Sequence, residues 1–323
     1  MRRPIRTALL AAMTAAVLAP GARAQSDYPN RPVRIVAGFA AGSSTDIMAR
    51  LVGGRMGQAL GQQFIVENRP GAGSAIAAEQ VARGPKDGYA IMIGGSANLT
   101  TQIVSPSQSY DILKDFSPLL LISSQPLILV VHPSIGVRTL PELIALAKAQ
   151  AEPLTYGSTG VGAVPHLVTE LFAVRTGVKL VHVPYPGSPQ AITDLLAGRI
   201  AMMFSPATAV LPHIESGKLT AIASASAKRP SAAPNLPTMA EAGMPDFDSS
   251  IWFAMWVPAG TPREVVDKLS RAGNDAIRSD EVQANFKSQG FDAIGGTPDD
   301  FARLIDREME KWTVAVQAAG LKK

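Results

Sequence analysis

One phrase recurs along this chain from Tyr28 onward and constrains its fold more than any single residue does. A short β-branched run gives way to a glycine- and serine-rich turn, and then to a stretch whose apolar residues return with a helical period. Such switching from strand to helix periodicity is the mark of βα units. Val33 to Phe39 is expected as a strand, Thr45 to Leu60 as a helix, Phe64 to Glu67 as a strand, Ser74 to Ala82 as a helix and Tyr89 to Gly94 as a strand. These strands are apolar on both faces, which implies a parallel sheet covered by helices.

The middle of the chain repeats the pattern. Strands are expected at Leu154 to Gly157, Leu180 to Val183 and Ile200 to Phe204, with helices at Pro165 to Thr176 and Ala191 to Ala197. Two longer apolar segments flank this middle, Leu119 to Val131 and Leu219 to Ala225, and each is a candidate crossing strand. Beyond Thr261 the chain is expected to be helical. Thr261-Pro262-Arg263-Glu264 and Thr297-Pro298-Asp299-Asp300 both have the form of an N-cap, a proline at the first position and an acid at the third. The expected division is a discontinuous first lobe, residues 25–124 with 227–323, and an inserted second lobe, residues 125–226. A hinge of two strands between α/β lobes leaves a cleft suited to closing on a solute.

Residues 1–24 are expected to be a cleaved export signal: Arg2, Arg3 and Arg6 precede an apolar stretch from Thr7 to Leu18 that is too short to span a bilayer, and Ala22-Arg23-Ala24 supplies a small-x-small cleavage site. The Arg pair leaves Sec and Tat routes both open. The whole chain has 30 Lys and Arg against 26 Asp and Glu. The leader holds four of the basic residues and no acid, so 26 of each remain in the mature chain. A neutral protein of this kind gives no support to a nucleic-acid or anionic-membrane partner. The absence of cysteine excludes disulfides, thiolate nucleophiles and Cys-ligated zinc.

Four small, polar segments follow strands of like type and are expected to gather on one edge of the two sheets. Phe39-Ala40-Ala41-Gly42-Ser43-Ser44-Thr45-Asp46 enters the first helix with Ser43 and Asp46 spaced as a capping box. Two readings stand side by side: a well-capped helix, or a positive helix end with open N–H groups suited to a carboxylate. Gly157-Ser158-Thr159-Gly160-Val161-Gly162 matches a dinucleotide fingerprint in spacing. Leu180-Val181-His182-Val183 offers no acid for a ribose, so an anion-holding loop is the expected role. Gly94-Gly95-Ser96-Ala97-Asn98 and Pro184-Tyr185-Pro186-Gly187-Ser188 have the composition of turns. Pro165 and His166 open the helix after the glycine loop. A neutral His166 can donate to a carboxylate there, and a simple surface role is the alternative. His132, His182 and His213 are expected to be structural. Trp252, Phe253 and Trp256 form an aromatic cluster for which core packing is the default and contact with a ligand the alternative.

Catalytic signatures are missing. There is no G-x-S-x-G, no H-E-x-x-H and no P-loop lysine, and no pair of acids stands as general acid and base. No cofactor and no metal are expected.

Several longer motifs go beyond these local signals. They are Tyr28-Pro29 with Arg31-Pro32-Val33-Arg34-Ile35-Val36, Val66-Glu67-Asn68-Arg69-Pro70-Gly71-Ala72-Gly73, Lys86-Asp87-Gly88-Tyr89 and Lys114-Asp115-Phe116. Further on come Val181-His182-Val183-Pro184-Tyr185, Leu211-Pro212-His213-Ile214, Pro237-Thr238-Met239-Ala240-Glu241-Ala242-Gly243 and Pro258-Ala259-Gly260-Thr261-Pro262. Through them the mature chain resembles the Bug family, the extracytoplasmic solute receptors of tripartite tricarboxylate transport systems. The resemblance implies a type II periplasmic-binding-protein fold, with two Rossmann-like lobes and the ligand in the cleft between them. It also implies a carboxylated solute gripped through the loops that correspond to Phe39–Asp46 and Ser158–His166, a monomer, and membrane permease subunits as partners. Three departures stand out. The usual double Pro and double Gly have become Ala40-Ala41-Gly42-Ser43, the polar residue after Tyr185 is Pro186, and the acid often following Phe204 is Ser205. Loss of that acid points to a carboxylate lacking a cationic amine. An ABC-type or sensor-kinase-linked receptor is the rival of the same fold, and a secreted hydrolase the rival of another class.

Overall fold

The computed structural model describes residues 28–71, 74–104, 109–185 and 187–321; the expected leader at 1–24 and Pro186 lie outside the described residues. The chain runs β1 (Val33–Ala37), α1 (Ser44–Leu60), β2 (Phe64–Asn68), α2 (Ala75–Ala82), β3 (Ala90–Gly95), α3 (Ser96–Val104) and β4 (Phe116–Gln125). It continues through β5 (Leu127–Val131), α4 (Leu140–Ala149), β6 (Leu154–Ser158), α5 (Val164–Thr176), β7 (Leu180–Pro184), α6 (Ser188–Leu196), β8 (Met202–Pro206), α7 (Ala207–Glu215) and β9 (Thr220–Ser224). It closes with β10 (Ile251–Pro258), α8 (Arg263–Arg278), α9 (Asp280–Ser288), β11 (Asp292–Ala293) and α10 (Pro298–Ala318).

Two sheets result, in the orders β11-β4-β10-β3-β1-β2 and β7-β6-β8-β5-β9. Apart from the short β11 they share one plan. β1 lies parallel between β2 and β3, as β6 lies parallel between β7 and β8. The next strand in each sheet is antiparallel and arrives from the other lobe: β10 beside β3, and β5 beside β8. Each sheet is therefore completed by a strand that the chain delivers after crossing. This is the type II two-lobed α/β arrangement.

The sheets are covered on both faces, which is why their inner strands are continuously apolar. In β1, Ile35 packs with Met48, Val52 and Met56 of α1 and Leu269 of α8, while its neighbour Val36 packs on the opposite face with Ala77 and Val81 of α2. In β5, Leu127, Leu129 and Val131 face one core of the second lobe, and Ile128 and Val130 the other. Each such side chain removed from water stabilises the fold by roughly 1.5–3 kcal/mol.

Three expectations change. Leu119 to Val131 is not one crossing strand, because Pro126 divides it into β4 and β5, each belonging to a different sheet. Leu219 to Ala225 does not cross either. β9 stays in the second sheet, and the return is made by the segment before β10, where Ser249 N–H donates to the Ala225 carbonyl. Thr261 does not cap α8, since its hydroxyl donates to the Pro258 carbonyl at 2.7 Å and Pro262 takes the cap position. Thr297 and Asp300 do form their reciprocal box on α10.

Residues 227–323, assigned as a whole to the first lobe by sequence, divide between the two in packing. Met239, Met244 and Phe247 are buried in the second lobe's core. α10 spans both lobes, with Phe301 and Ile305 against Trp252 and Trp256, and Trp312, Ala315 and Val316 in the core around Tyr156 and Phe172.

Candidate functional site: two loops at strand ends

In the first lobe the chain leaves β1 through Gly38 to Ser43. A Cβ on Gly38 would lie 1.8 Å from Ser74 Oγ, so only glycine passes there, and Gly42 takes the left-handed φ of +80°. Ser43 caps α1 by accepting the Asp46 N–H at 3.3 Å. Asp46 does not return the bond to Ser43, whose own N–H donates to the Ala40 carbonyl. Its carboxylate instead accepts from Gly42 N at 2.9 Å, Asn68 Nδ2 at 3.0 Å and Arg50 Nε at 3.1 Å. Arg50 Nη2 adds a second contact at 3.0 Å. Asn68 also donates to the Phe39 carbonyl at 3.0 Å, tying the end of β2 to the loop. Burial pushes the Asp46 carboxyl up. The hydrogen bonds from Arg50, Gly42 and Asn68 outweigh it and hold the group below the usual range.

Asp46 is thus an internal strut with its charge neutralised, and Gly42 N–H is consumed by it. Among the described residues the amide hydrogens of Ser44 and Thr45, in the first turn of α1, have no partner. Both residues line a cavity of about 240 Å³, together with Phe39, Ser43, Ser96, Ile251, Trp252 and Phe253 among others. Of the aromatic cluster, Trp252 and Phe253 line this cavity. Trp256 is fully buried.

The second expected segment, Gly94 to Asn98, is not a loop. β3 runs through Gly95 and α3 starts at once with Ser96. Gly95 carries its backbone so close to β10 that a Cβ would sit 2.1 Å from the Trp252 carbonyl oxygen. Asn98 folds back, its Oδ1 accepting the Gly95 N–H at 3.0 Å, and does not line the cavity. Ser96 is fully buried, lines the cavity and has no partner for its hydroxyl among the described residues. Ser205, on β8, the topological counterpart of β3, is likewise fully buried, and its hydroxyl has no partner among the described residues.

In the second lobe, β6 ends at Ser158 and the loop turns through Gly160 and Gly162, at φ +127° and +77°. Ser158 Oγ accepts the Gly160 N–H at 3.1 Å and lies 3.1 Å from the Gly160 carbonyl oxygen. It is also 2.6 Å from Nε2 of His182. The N–H groups of Thr159 and Val161 have no partner among the described residues. α5 starts without a side-chain cap, at Ala163, and Pro165 contributes no donor. His166 is buried, and its ring is turned inward: Nδ1 accepts the Gly162 N–H at 3.0 Å and Nε2 faces Glu170 at 3.9 Å. Burial, then the neighbouring His182, pushes its pKa down to about 4, which keeps the ring neutral. Tyr185 donates its phenol to Asp194 at 2.8 Å while its ring edge stays beside Gly157, and Gly187 precedes α6 in an extended conformation.

Sequence reasoning missed Arg50, Asn68 and His182. Arg50 stands four residues after Asp46 on α1, a spacing that signals an ion pair. His182 is brought beside Tyr156 by the parallel register of β6 and β7. It stacks between Tyr156 and His166, at ring-centroid distances of 4.9 and 3.9 Å. Among the described residues no group of three or more metal-ligating side chains occurs.

Two α/β lobes completed by exchanged strands, each presenting a small-residue loop at a strand end, define a solute-binding protein. Residues 48–321 match the TctC model, the tripartite tricarboxylate transporter family receptor, and the chain belongs to this family. It is 37% identical to BugT of Bordetella pertussis over 311 residues, 96% of this chain and 95% of that protein. An R. palustris protein solved with adipate is 35% identical and superposes with a TM-score of 0.74 over 91% of this chain and 98% of that one. MatC from Rhodopseudomonas palustris, solved with bound malate, is 29% identical with a TM-score of 0.71 over 90% and 100%.

Proposed function

We propose that this chain is exported to the periplasm through a leader cleaved near Ala24, binds a small carboxylate as a monomer between the loops Phe39–Asp46 and Ser158–His166, and presents it to the permease subunits of a tripartite transporter. One observation carries the reading. The two loops offer unpartnered amide hydrogens and the strand ends offer buried, unpartnered hydroxyls at Ser96 and Ser205, while the acid of the first loop, Asp46, is already neutralised by Arg50. Donors without an opposing charge suit an anion. The adipate and malate held by the two relatives support the same solute class. With Ser205 in place of an acid, a carboxylate without a cationic amine is the preferred solute.

The test is a thermal-shift screen of the mature chain over mono- and dicarboxylates, adipate and malate included, beside amino acids. A solute at about 100 times its dissociation constant adds roughly 2.7 kcal/mol to stability. Silence across the carboxylates, or a response to amino acids alone, contradicts the proposal.

A hydrolase draws on one feature, the 2.6 Å contact between Ser158 and His182. It lacks the group that would orient the base, since no carboxylate bonds His182 among the described residues. Ester turnover abolished by Ser158→Ala would favour it.

A further inference from the structure

Ser158 Oγ has one hydrogen to give and two lone pairs to fill. Its three neighbours are the Gly160 N–H, the Gly160 carbonyl oxygen and His182 Nε2, at 3.1, 3.1 and 2.6 Å. The amide can only donate and the carbonyl can only accept. If Ser158 gave its hydrogen to His182, its remaining lone pairs would face the Gly160 carbonyl oxygen at 3.1 Å, acceptor against acceptor. If His182 donates from Nε2, both lone pairs are filled and the hydroxyl hydrogen points to Gly160 O. Only the second arrangement satisfies all three contacts. At 3.1 Å that last bond is long for O–H···O, so the hydrogen is easily drawn to a stronger acceptor.

We propose that His182 is a positioning residue for solute capture: by donating from Nε2 to Ser158 Oγ it commits the Ser158 hydroxyl to donate, and so adds a hydroxyl donor for an anionic group to the open amides of Thr159 and Val161. With the opposite tautomer the Ser158 oxygen would present only a lone pair, which repels a carboxylate. The ring is held by its neighbours. His182 stacks on His166 with an interplanar angle of 11° and on Tyr156 with one of 18°. Tyr156 is anchored in turn by donating its phenol to Glu170. His166 must carry its own hydrogen on Nε2, because Nδ1 accepts from Gly162. The stack explains why a strand residue 24 positions from Ser158 controls its hydroxyl.

The inference rests on the carboxylate reading, and its test separates the two. Nitrogen-15 correlation spectra of the unliganded mature chain near neutral pH should show His182 protonated at Nε2; protonation at Nδ1 overturns the inference whatever the protein binds. Calorimetry with adipate and with malate supplies the second arm. His182→Phe keeps the stacked ring and removes the donor. It should weaken binding about ten- to a hundredfold with little change in the unliganded melting temperature, and His182→Gln, which restores a donor, should recover most of the loss. In a Ser158→Ala background His182→Phe should have no further effect. Equal binding by wild type and His182→Phe overturns the inference while leaving the carboxylate reading intact. Failure of wild type to bind any carboxylate overturns that reading instead, and the tautomer still decides the inference.

Discussion

Asp46 shows how a residue visible in sequence changes its meaning in three dimensions. The Ser43 and Asp46 spacing announces a cap, and Ser43 does accept the Asp46 N–H. What cannot be read locally is that the carboxylate is shared among Gly42, Arg50 and Asn68, because Asn68 arrives only through the pairing of β2 with β1. The same holds for His166. Its place in the first turn of α5 suggests a group offered to a solute, while its ring is buried, with Nδ1 accepting from the loop and Nε2 facing Glu170. That burial carries a pH signature. The folded pKa is near 4 against an ordinary 6.5, so between those values the unfolded chain takes up a proton that the folded chain refuses. Stability is complete above about pH 6.5 and falls as pH drops toward 4, by up to about 3 kcal/mol. Asp46, held below its usual value, loses stability only at lower pH still, so the windows separate. Denaturant unfolding across pH 4 to 7 should show this slope in wild type and a flatter one in His166→Gln; equal slopes would deny the buried neutral imidazole.

Elements with a clear period were readable to within a residue or two: α1, β2, α5 and β7 lie close to where their apolar spacing puts them. Two helices were not. α3 begins where Gly94-Gly95-Ser96 signals a turn, because glycine there answers a close backbone approach and not a reversal of the chain. α4 has a legible start, the Thr139 and Glu142 capping box, but it follows an apolar run that draws attention to strand instead. The crossing strands failed for a physical reason as well. The polar stretch Ser123-Ser124-Gln125-Pro126 interrupts the apolar run, but nothing local records that the halves on its two sides join different sheets. Gly95→Ala tests the packing account of the β3 to α3 junction. The added methyl meets backbone of β10, which cannot yield as a side chain can, so a loss of about 1–3 kcal/mol is expected, with weaker solute binding because Ser96 and Trp252 line the same cavity. A Gly95→Ala variant as stable as wild type would show the two strands to be less closely set.

At the scale of the molecule, the βα repeats made two lobes readable, while the end of the chain was not assignable from pattern alone. An amphipathic helix states that it has a buried face and not which lobe supplies the partner. α10 has partners in both, and Glu308 marks the junction. Its buried carboxylate accepts the indole N–H of Trp252, in the cavity wall of the first lobe, at 2.9 Å, and that of Trp312, in the core of the second, at 2.7 Å. Lys311 pairs with the same carboxylate and donates to the Asp248 carbonyl of the returning connection at 2.8 Å. Both indoles share Oε2 while Lys311 takes Oε1, so Glu308→Gln removes the charge that draws these donors and sets an amide donor against either the Lys311 ammonium or the two indoles. A loss of about 1–3 kcal/mol is expected, with a change in tryptophan emission on solute binding. Unchanged stability and emission would remove Glu308 from this role.

The most direct measurement of the central claim is a crystal structure of the mature chain with the carboxylate that gives the largest thermal shift. The account predicts a carboxylate oxygen about 3 Å from the amide nitrogens of Ser44 or Thr45, with Ser158 donating from the other side of the cleft. A solute bound with no carboxylate contact to either loop would contradict it.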